Sequence, residues 1–283
     1  MLSYRHAFHA GNHADILKHL AWLGVITHLK RKAKPFVLFD THAGAGEYPL
    51  NSDFSQQNKE YLSGMTPLQG VTAHSSLLNQ YLHVNQPIWQ ENIYPGSPRL
   101  LCQAIRAQDK AHLMELHPAE IDSLQYCVSS HGEGQVAVHH RDGLQGLIAM
   151  TPPTPNRGAV LIDPPYEQIQ EYDQVSDTVK KVLRRWANAQ IVVWYPLLSE
   201  RAETKAHACQ TMIETIADAG KSCFTAQLTV AENTYDAGMF GSGVCVINPA
   251  FQLDENLTDA MGEVCGFLGA QAEYSLQWRK KDN

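Results

Sequence analysis

Short runs of consecutive apolar residues limit the folds available to this chain more than any other feature. The clearest are residues 36–39 and 159–162, which do not alternate between apolar and polar positions. Strands buried on both faces have this pattern, and they belong to parallel sheets covered by helices. Stretches of helical periodicity separate the runs, for example residues 172–187 and 201–219, and Gly220 ends the second. We therefore expect an α/β fold with a doubly wound, mostly parallel sheet.

The predicted sheet has seven strands, the last two forming a closing hairpin-like pair. The strand-like runs are residues 36–40, 111–116, 135–139, 159–163, 190–195, 223–230 and 244–247. Residues 51–98 interrupt this rhythm with a polar stretch and short helical segments near 75–82. We expect one domain spanning residues 1–283, in which 51–98 form a small inserted helical subdomain. A long surface excursion is the alternative.

Composition excludes several classes of protein. The chain has 283 residues and a net charge of −7, which argues against nonspecific coating of nucleic acid. The positive charge is clustered at residues 30–34, 180–185 and 279–281, either as a local basic face or as solvated helix ends. No apolar run is long enough to span a membrane and no signal peptide is evident, so a cytoplasmic location is expected. Six scattered cysteines without a C-x-x-C pair predict free thiols.

The tetrapeptide Asp163-Pro164-Pro165-Tyr166 directly follows one of the apolar runs. The exocyclic amine of adenine is a poor nucleophile because its lone pair is delocalised into the ring. Asp163 and the carbonyl group of Pro164 can accept its hydrogens, the two prolines stiffen the turn, and Tyr166 offers a ring face to a base turned out of its stack. These three residues are predicted to be catalytic, in methyl transfer to an amino nitrogen of a nucleic-acid base. An ordinary proline-rich turn is the structural alternative.

A glycine-containing loop follows the first predicted strand. Asp40 ends that strand, and Gly44 and Gly46 allow a tight turn beside a ligand at the strand ends. A dinucleotide fingerprint needs a third glycine, but position 49 is Pro. The loop therefore favours a cofactor without phosphates, such as S-adenosylmethionine.

Carboxylates follow the next two predicted strands. A carboxylate after the second strand of a nucleoside-binding fold accepts hydrogen bonds from ribose hydroxyls, and Glu115 has that setting once residues 51–98 are set aside. Asp142 could accept a hydrogen bond from the cofactor's adenine amine, with Gly143 allowing the ring to approach. Each also has a simple structural explanation, as a strand-end glutamate or an Asp-Gly turn.

The first twenty residues are rich in histidine. His6, His9 and His13 accompany Tyr4 and Arg5, and the spacing of His9 and His13 suits a shared helix face. A zinc site would need further ligands that this segment lacks, so no metal is expected. An N-terminal arm, residues 1–20, that contacts a polyanionic substrate and the cofactor is the preferred interpretation.

Several motifs together resemble the bacterial RlmJ family of 23S ribosomal RNA (adenine-N6)-methyltransferases. The opening stretch from Leu2 to Asp15 (LSYRHAFHAGNHAD) is the most specific of them. The loop 40–46 (DTHAGAG), residues 94–98 (YPGSP) and the tetrapeptide at 163–166 match the family in the same order. The similarity extends over almost the whole chain.

The resemblance implies a seven-stranded, Rossmann-like class I methyltransferase core with an inserted helical subdomain. It implies cofactor contacts from His19, His42, Ser97, Glu115, Asp142, Gly143 and Asp163. Asp163 would also accept the proton of the target amine, and Tyr4 would contact the RNA. We add Gly44 from the glycine loop and Lys18 from its charge, as a contact to the cofactor carboxylate.

The expected reaction is S-adenosylmethionine-dependent N6-methylation of a specific adenine in 23S ribosomal RNA, protein-free or early in assembly. A monomer is expected. DNA adenine is the nearest alternative substrate, because base flipping serves both nucleic acids. Glutamine methylation is disfavoured, since that chemistry generally goes with Asn in place of Asp163. A nucleic-acid-binding protein without enzymatic activity is the remaining alternative.

Overall fold

The computed structural model describes residues 4–281; residues 1–3 and 282–283, with Leu2 and Ser3 of the N-terminal motif, lie outside them. The strands are β1 (Val37–Asp40), β2 (Glu47–Pro49), β3 (Ile93–Pro95), β4 (Lys110–Glu115), β5 (Gln135–His140), β6 (Gly158–Ile162), β7 (Gln190–Leu198), β8 (Cys223–Thr229), β9 (Met239–Ile247) and β10 (Glu273–Lys280). The helices are α1 (His13–Lys30), α2 (Asp53–Asn58), α3 (Ser76–Gln90), α4 (Ser97–Ala104), α5 (Pro118–His131), α6 (Gly143–Met150), α7 (Gln170–Arg185), α8 (Glu203–Ala219) and α9 (Leu253–Leu268).

The main sheet has the strand order β10-β8-β9-β7-β6-β1-β4-β5. The five strands from β7 to β5 are parallel, and β9, β8 and β10 are joined by antiparallel pairings. The Rossmann-like class I methyltransferase fold and the closing pair β8–β9 are confirmed. The predicted count of seven strands was wrong, because β10 adds an eighth. In β10 the half-buried Tyr274, Leu276 and Trp278 alternate with exposed polar residues, as expected of an edge strand.

The inner strands are buried on both faces, which explains their unbroken apolar runs. Neighbouring residues of β6 enter different clusters: Leu161 packs with Trp22 of α1, whereas Val160 and Ile162 pack with Trp186 at the end of α7. Each strand therefore separates two helical layers.

Residues 51–98, the insertion, begin just after β2 and end just after β3, and these two strands pair antiparallel in a small sheet of their own. They contain α2, two single 3-10 turns and α3, which is longer than the predicted segment near 75–82 and includes Pro87. Leu78, Tyr81 and Trp89 of α3 lie in the same hydrophobic core as α1. The insertion therefore adds to the core of the sheet; its standing as an inserted subdomain stays a prediction.

The parallel strands bring several polar residues to one edge of the sheet. Asp40 at the end of β1 is in register with Leu113 of β4 and Leu161 of β6, so the segments that follow these strands emerge side by side. Ligands of open α/β sheets bind at this carboxyl edge, where the strand order reverses. Within residues 4–281, no helix is both long and apolar enough to cross a membrane.

Candidate active site

One cavity of about 450 Å³ lies at the carboxyl edge of the sheet. All of the residues predicted to act in catalysis or binding line it. They are Tyr4, Lys18, His19, His42, Gly44, Ser97, Glu115, Asp142, Gly143, Asp163, Pro164 and Tyr166. The structure thus brings together residues from the N-terminus, the glycine loop and the ends of four strands.

A buried lysine lies between two carboxylates at the base of the cavity. Lys18 Nζ is 2.6 Å from Asp163 Oδ2 and 2.8 Å from Asp15 Oδ1. The pair with Asp15 joins neighbouring turns of α1, whereas Asp163 follows β6. Only 5% of the Lys18 side chain is exposed, so little water screens these charges.

The pKa values of this cluster describe one cation between two carboxylates. Burial raises the pKa of Asp163, and Lys18 partly opposes that rise. Burial also acts against the charge of Lys18, but Asp15 and Asp163 outweigh it and raise its pKa. Burial disfavours the ionised form of Asp15, yet His6 and Lys18 hold its pKa well below the usual value. Lys18 therefore keeps Asp163 more acidic than its burial alone would.

Hydrogen bonds connect this cluster to the N-terminus. Asp15 Oδ2 is 3.0 Å from His6 Nε2, and the other ring nitrogen of His6 is 3.0 Å from the hydroxyl group of Tyr4. The backbone N–H of Gly11 also donates to Asp15, at 2.9 Å. A continuous polar chain therefore runs from Tyr4 at the cavity mouth to Asp163 at its base.

The predicted N-terminal arm is not uniform in the structure. Residues 4–12, the leading segment, precede α1 and include a 3-10 turn at His6–Phe8. From His13 onward the chain is helical, and Lys18 and His19 are buried within α1. Asn12 begins the helix by accepting hydrogen bonds from the backbone N–H groups of Ala14 and Asp15.

The insertion holds the leading segment in place. Ser55 Oγ donates a hydrogen bond to the carbonyl oxygen of Ala7 at 3.1 Å. The backbone N–H of Met65 donates one to the carbonyl oxygen of Gly11 at 2.8 Å. The Glu60 carboxylate accepts hydrogen bonds from His9 at 2.7 Å and from the Asn12 side chain at 3.0 Å. The hydrogen bond to Glu60 raises the pKa of His9.

His19 has one ring nitrogen bonded and one without a partner. Its Nδ1 is 3.1 Å from the hydroxyl group of Tyr94, whose ring stacks on the imidazole. Burial lowers the pKa of His19 to about 3, so the ring is neutral at pH 7. Nε2 is buried and has no hydrogen-bond partner within residues 4–281. If Tyr94 donates to Nδ1, Nε2 carries the proton and can donate to a ligand.

The glycine loop and β4 are tied together by Glu115. Glu115 Oε2 accepts a hydrogen bond from the backbone N–H of Gly44 at 2.7 Å. Glu115 Oε1 accepts a second one from the backbone N–H of His117 at 2.6 Å. Gly44 has φ +61°, a conformation that favours glycine. These bonds fix the orientation of the carboxylate at the cavity wall.

His42 and Ser97 contact Asp40 beneath that loop. Ser97 Oγ donates to Asp40 Oδ2 at 2.7 Å, and the backbone N–H of His42 is 3.3 Å from Asp40 Oδ1. Burial raises the pKa of Asp40 to about 7 and lowers that of His42 to about 4. The His42 ring is therefore neutral at pH 7 and contributes hydrogen-bonding groups rather than charge.

Asp142 and Gly143 begin α6. Asp142 Oδ1 accepts a hydrogen bond from the backbone N–H of Gln145 at 2.8 Å, so this carboxylate caps the helix while it lines the cavity. A Cβ at Gly143 would overlap the carbonyl oxygen of Thr41. The interpretation of Gly143 as space for a cofactor ring was therefore incomplete, because the neighbouring backbone alone requires glycine.

Tyr166 does not stand open to the cavity as the sequence suggested. The residue is 3% exposed, its ring stacks on Tyr172 at a centroid distance of 4.3 Å, and its hydroxyl group donates to the carbonyl oxygen of Trp194. Its φ of +48° is uncommon for an aromatic residue. The side chain of Lys205 donates to the carbonyl oxygens of Tyr166 and Glu167, at 2.9 and 2.7 Å. The free stacking face predicted for Tyr166 is therefore largely covered by the protein.

Several cavity residues were missed as site residues from the sequence. Asp15 is three residues from Lys18, a spacing that signals an ion pair on a helix. Trp194 is half-buried in the cavity wall, and its indole N–H has no partner within residues 4–281. Lys205 had no local signal in the sequence, because its partners, Tyr166 and Glu167, lie in a distant segment.

All six cysteines have free thiol groups, as the sequence predicted. His9 is hydrogen-bonded to Glu60, and in the part of the chain that the structure describes no three or more His, Cys, Asp or Glu side chains are grouped so that they could hold a metal ion.

Comparison with known proteins agrees with the geometry. Residues 33–280 match the family model described as "Ribosomal RNA large subunit methyltransferase D, RlmJ". The chain is 36% identical over 265 residues to ribosomal RNA large subunit methyltransferase J of Escherichia coli (strain K12), with 92% of each chain covered. The protein of the same name from Haemophilus influenzae Rd is 34% identical over 266 residues, again with 92% of each covered.

A solved structure is similar over nearly the same length. Protein LPL1258 from Legionella pneumophila str. Philadelphia 1 superposes with a TM-score of 0.85 and 27% identity, covering 95% of this chain and 98% of that one. The matched family region contains the glycine loop, Glu115, Asp142 and the turn Asp163–Tyr166. This chain is a methyltransferase and belongs to the RlmJ family of ribosomal RNA large subunit methyltransferases.

Proposed function

We propose that this protein transfers a methyl group from S-adenosylmethionine to the N6 nitrogen of an adenine in 23S ribosomal RNA. The observation that carries this proposal is the position of Asp163 and Pro164 at the base of a cavity lined by every predicted cofactor residue. Base flipping would bring the adenine to these groups, because the reacting nitrogen is out of reach within a stacked helix.

Asp163 and Pro164 are suited to bind the exocyclic amine. Lys18 occupies Asp163 Oδ2, and Asp163 Oδ1 has no hydrogen-bond partner within residues 4–281. The carbonyl oxygen of Pro164 is likewise without a donor in that part of the chain. Two acceptors side by side can take both hydrogens of the amine, which localises the nitrogen lone pair and orients it. Lys18 helps to keep Asp163 ionised, so that the carboxylate can accept the departing proton.

The remaining lining residues fit the cofactor. S-adenosylmethionine supplies an electrophilic methyl group and requires groups for a carboxylate, a ribose and an adenine. When Tyr94 donates to His19 Nδ1, the buried, unpartnered Nε2 of His19 is a donor suited to the carboxylate, and Lys18 lines the same cavity. Glu115 would accept hydrogen bonds from ribose hydroxyls, and Asp142 would accept one from the adenine amine. His42, Gly44, Gly143 and Ser97 would complete the enclosure.

The finer features of the substrate are part of the same proposal. Tyr4 at the cavity mouth would contact the RNA, and protein-free or early-assembly 23S RNA would be the substrate. We further propose a cytoplasmic monomer that needs no metal, with residues 51–98 as an insertion into one domain. An enzyme of this family acting on DNA is the competing proposal, and the experiment below separates the two.

The test is methyl transfer from radiolabelled S-adenosylmethionine to protein-free 23S RNA, with duplex DNA in parallel. The Asp163→Asn variant should lose about 10²–10⁴-fold in rate, because it lacks the proton acceptor, while its cofactor affinity is partly retained. Asp173→Asn, an exposed carboxylate on α7, is the matched control and should keep the full rate. Labelling of DNA but not RNA, or an unaffected Asp163→Asn variant, would contradict the proposal.

A further inference from the structure

The cavity mouth has few positive charges for a protein that would bind a polyanion. Among the residues that line the cavity, the lysines and arginines are Arg5, Lys18 and Lys205. Lys18 is buried between two carboxylates. Lys205 donates hydrogen bonds to the carbonyl oxygens of Tyr166 and Glu167. Acidic side chains line the same cavity, among them Glu120 and Glu171. A phosphate entering this mouth therefore depends on very few cations.

Arg5 is the cation best placed to meet an RNA phosphate. Its side chain makes no hydrogen bond or ion pair within residues 4–281, although Glu120 lies within its electrostatic range. Its guanidinium carbon lies 5.0 Å from the ring centroid of Phe54, a residue of the insertion that is 39% exposed. Phe8 contacts the same ring edge-to-face, with centroids 5.1 Å apart. The guanidinium group is therefore positioned by an aromatic ring and not by a carboxylate.

This arrangement leaves the hydrogen-bond donors available. A guanidinium group that stacks on a ring uses its face, while its N–H groups point outward in the plane and can bind phosphate oxygens in pairs. The hydrogen bonds from the insertion to the carbonyl oxygens of Ala7 and Gly11 hold the backbone that follows Arg5. Because the residue is already positioned, less conformational entropy is lost on binding.

We propose that Arg5, positioned by Phe54, binds a backbone phosphate of the RNA strand beside the target adenine. This inference rests on the proposed function and assigns part of the insertion to the substrate-binding surface. The contact is to the backbone, so it adds affinity and register without reading the base sequence.

The experiment is equilibrium binding of protein-free 23S RNA over a series of KCl concentrations. Arg5→Gln should lower affinity about tenfold at 0.1 M salt, and the slope of log K against log salt should become shallower by about 0.7–0.9, as expected for one lost phosphate contact. Lys181→Gln, an exposed charge on α7 outside the cavity, is the matched control and should leave the slope unchanged.

Two further variants separate charge from position. Arg5→Lys should retain the slope but bind more weakly, because an ammonium group lacks the planar pair of donors. Phe54→Ala should also retain the slope and lose about threefold in affinity, because the charge remains but is no longer held. An unchanged slope in Arg5→Gln would overturn the proposal, as would a flattened slope in Phe54→Ala that equals that of Arg5→Gln.

Methylation by the same preparations distinguishes the two proposals. Arg5→Gln should raise KM for 23S RNA about tenfold, with kcat at saturating RNA and S-adenosylmethionine affinity within about twofold of wild type. A wild-type protein that binds the RNA without methylating it would refute the proposed function, and the slope comparison would still decide the role of Arg5. A loss confined to kcat would also overturn the phosphate contact.

Discussion

Selected polar groups at the two edges of the central sheet differ in whether the protein itself supplies their partners. At the amino edge, the protein supplies partners for two arginines. Arg106 donates hydrogen bonds to Asp109 and to the carbonyl oxygens of Lys32 and Lys34. Arg157 also donates to the carbonyl oxygen of Lys34. At the carboxyl edge, His19 Nε2, Asp163 Oδ1 and the carbonyl oxygen of Pro164 have no partner within residues 4–281.

The longest basic run of the sequence contributes to the amino edge through its backbone. Residues 30–34 form the most basic stretch of the chain, yet the structure uses their carbonyl groups to anchor two arginines. Both guanidinium groups also lie over the ring of Phe36, at 5.2 and 5.7 Å. Polar groups serve stability where the protein supplies their partners, and they are available for chemistry where it does not.

From this comparison we expect a substitution at the carboxyl edge to lower the rate of methyl transfer more than it lowers stability. Lys18→Met leaves Asp15 and Asp163 without their shared cation, so the pKa of Asp163 rises further and less of it is ionised. Methyl transfer near pH 7 should fall about a hundredfold or more, with partial recovery at higher pH as Asp163 ionises. Initial rates on 23S RNA between pH 6 and 9 test this.

Lys30→Met, an exposed lysine at the end of the same helix, is the control and should keep the wild-type rate and pH profile. A Lys18→Met variant with full activity would show that the buried cation has no part in the reaction.

A change at the amino edge should instead affect stability. Asp109 is fully buried and accepts hydrogen bonds from the Arg106 side chain and from the backbone N–H groups of Phe36 and Arg106. Asp109→Ala leaves all of these donors unpaired and should lower the free energy of unfolding by about 3 kcal/mol. Urea denaturation measures the loss.

The methyl-transfer rate per folded molecule of Asp109→Ala should stay within about twofold of wild type. Asp109→Asn keeps one acceptor oxygen and should lose less stability. A large fall in rate at unchanged stability would abolish the distinction between the two edges.

A further prediction at the carboxyl edge concerns the pH dependence of stability and a carboxyl group beneath the cavity. Burial raises the pKa of Asp40 to about 7, so the folded state prefers its protonated form. Stability from this group is present below its unfolded pKa, near 4, and is lost as the pH rises through about 7. Asp40→Asn cannot titrate, so its stability relative to wild type should increase between pH 4 and 7, by at most about 1.4 kcal/mol per pH unit, and level off above pH 7.

Urea denaturation at three pH values within that range measures the trend. Asp218→Asn, an exposed carboxylate on α8, serves as the reference for a group whose removal should leave the pH profile of wild type unchanged. Parallel profiles for wild type and Asp40→Asn would show that Asp40 keeps an ordinary pKa.

The parts of the fold that the sequence predicted are those in which one physical cause dominates. β6 was evident because burial on both faces excludes polar residues throughout the strand. β10 was missed because an edge strand is buried on one face only, and its charged end resembles a solvated tail. The end of α8 at Gly220 was correct, since helix termination is a local property.

The residues of the candidate site likewise divide into those that a local sequence pattern predicts and those that only the structure shows. The turn at Asp163 is a continuous motif, so the sequence displays it directly. The reason for Gly143 lies in the carbonyl group of Thr41, and the role of Lys205 lies in the carbonyl groups of Tyr166 and Glu167. These contacts join distant segments, and no local pattern records them. His42 and Ser97 came only from the family resemblance, because their contacts with Asp40 are visible only in three dimensions.

The buried ion cluster also imposes an order on biosynthesis. Asp15 lies three residues from Lys18, whereas Asp163 lies 145 residues further along the chain. On a ribosome, α1 emerges with one carboxylate already beside its lysine, but the second does not exist until more than half of the protein has been made. Asp163 therefore joins a lysine whose neighbour in α1 already supplies one carboxylate.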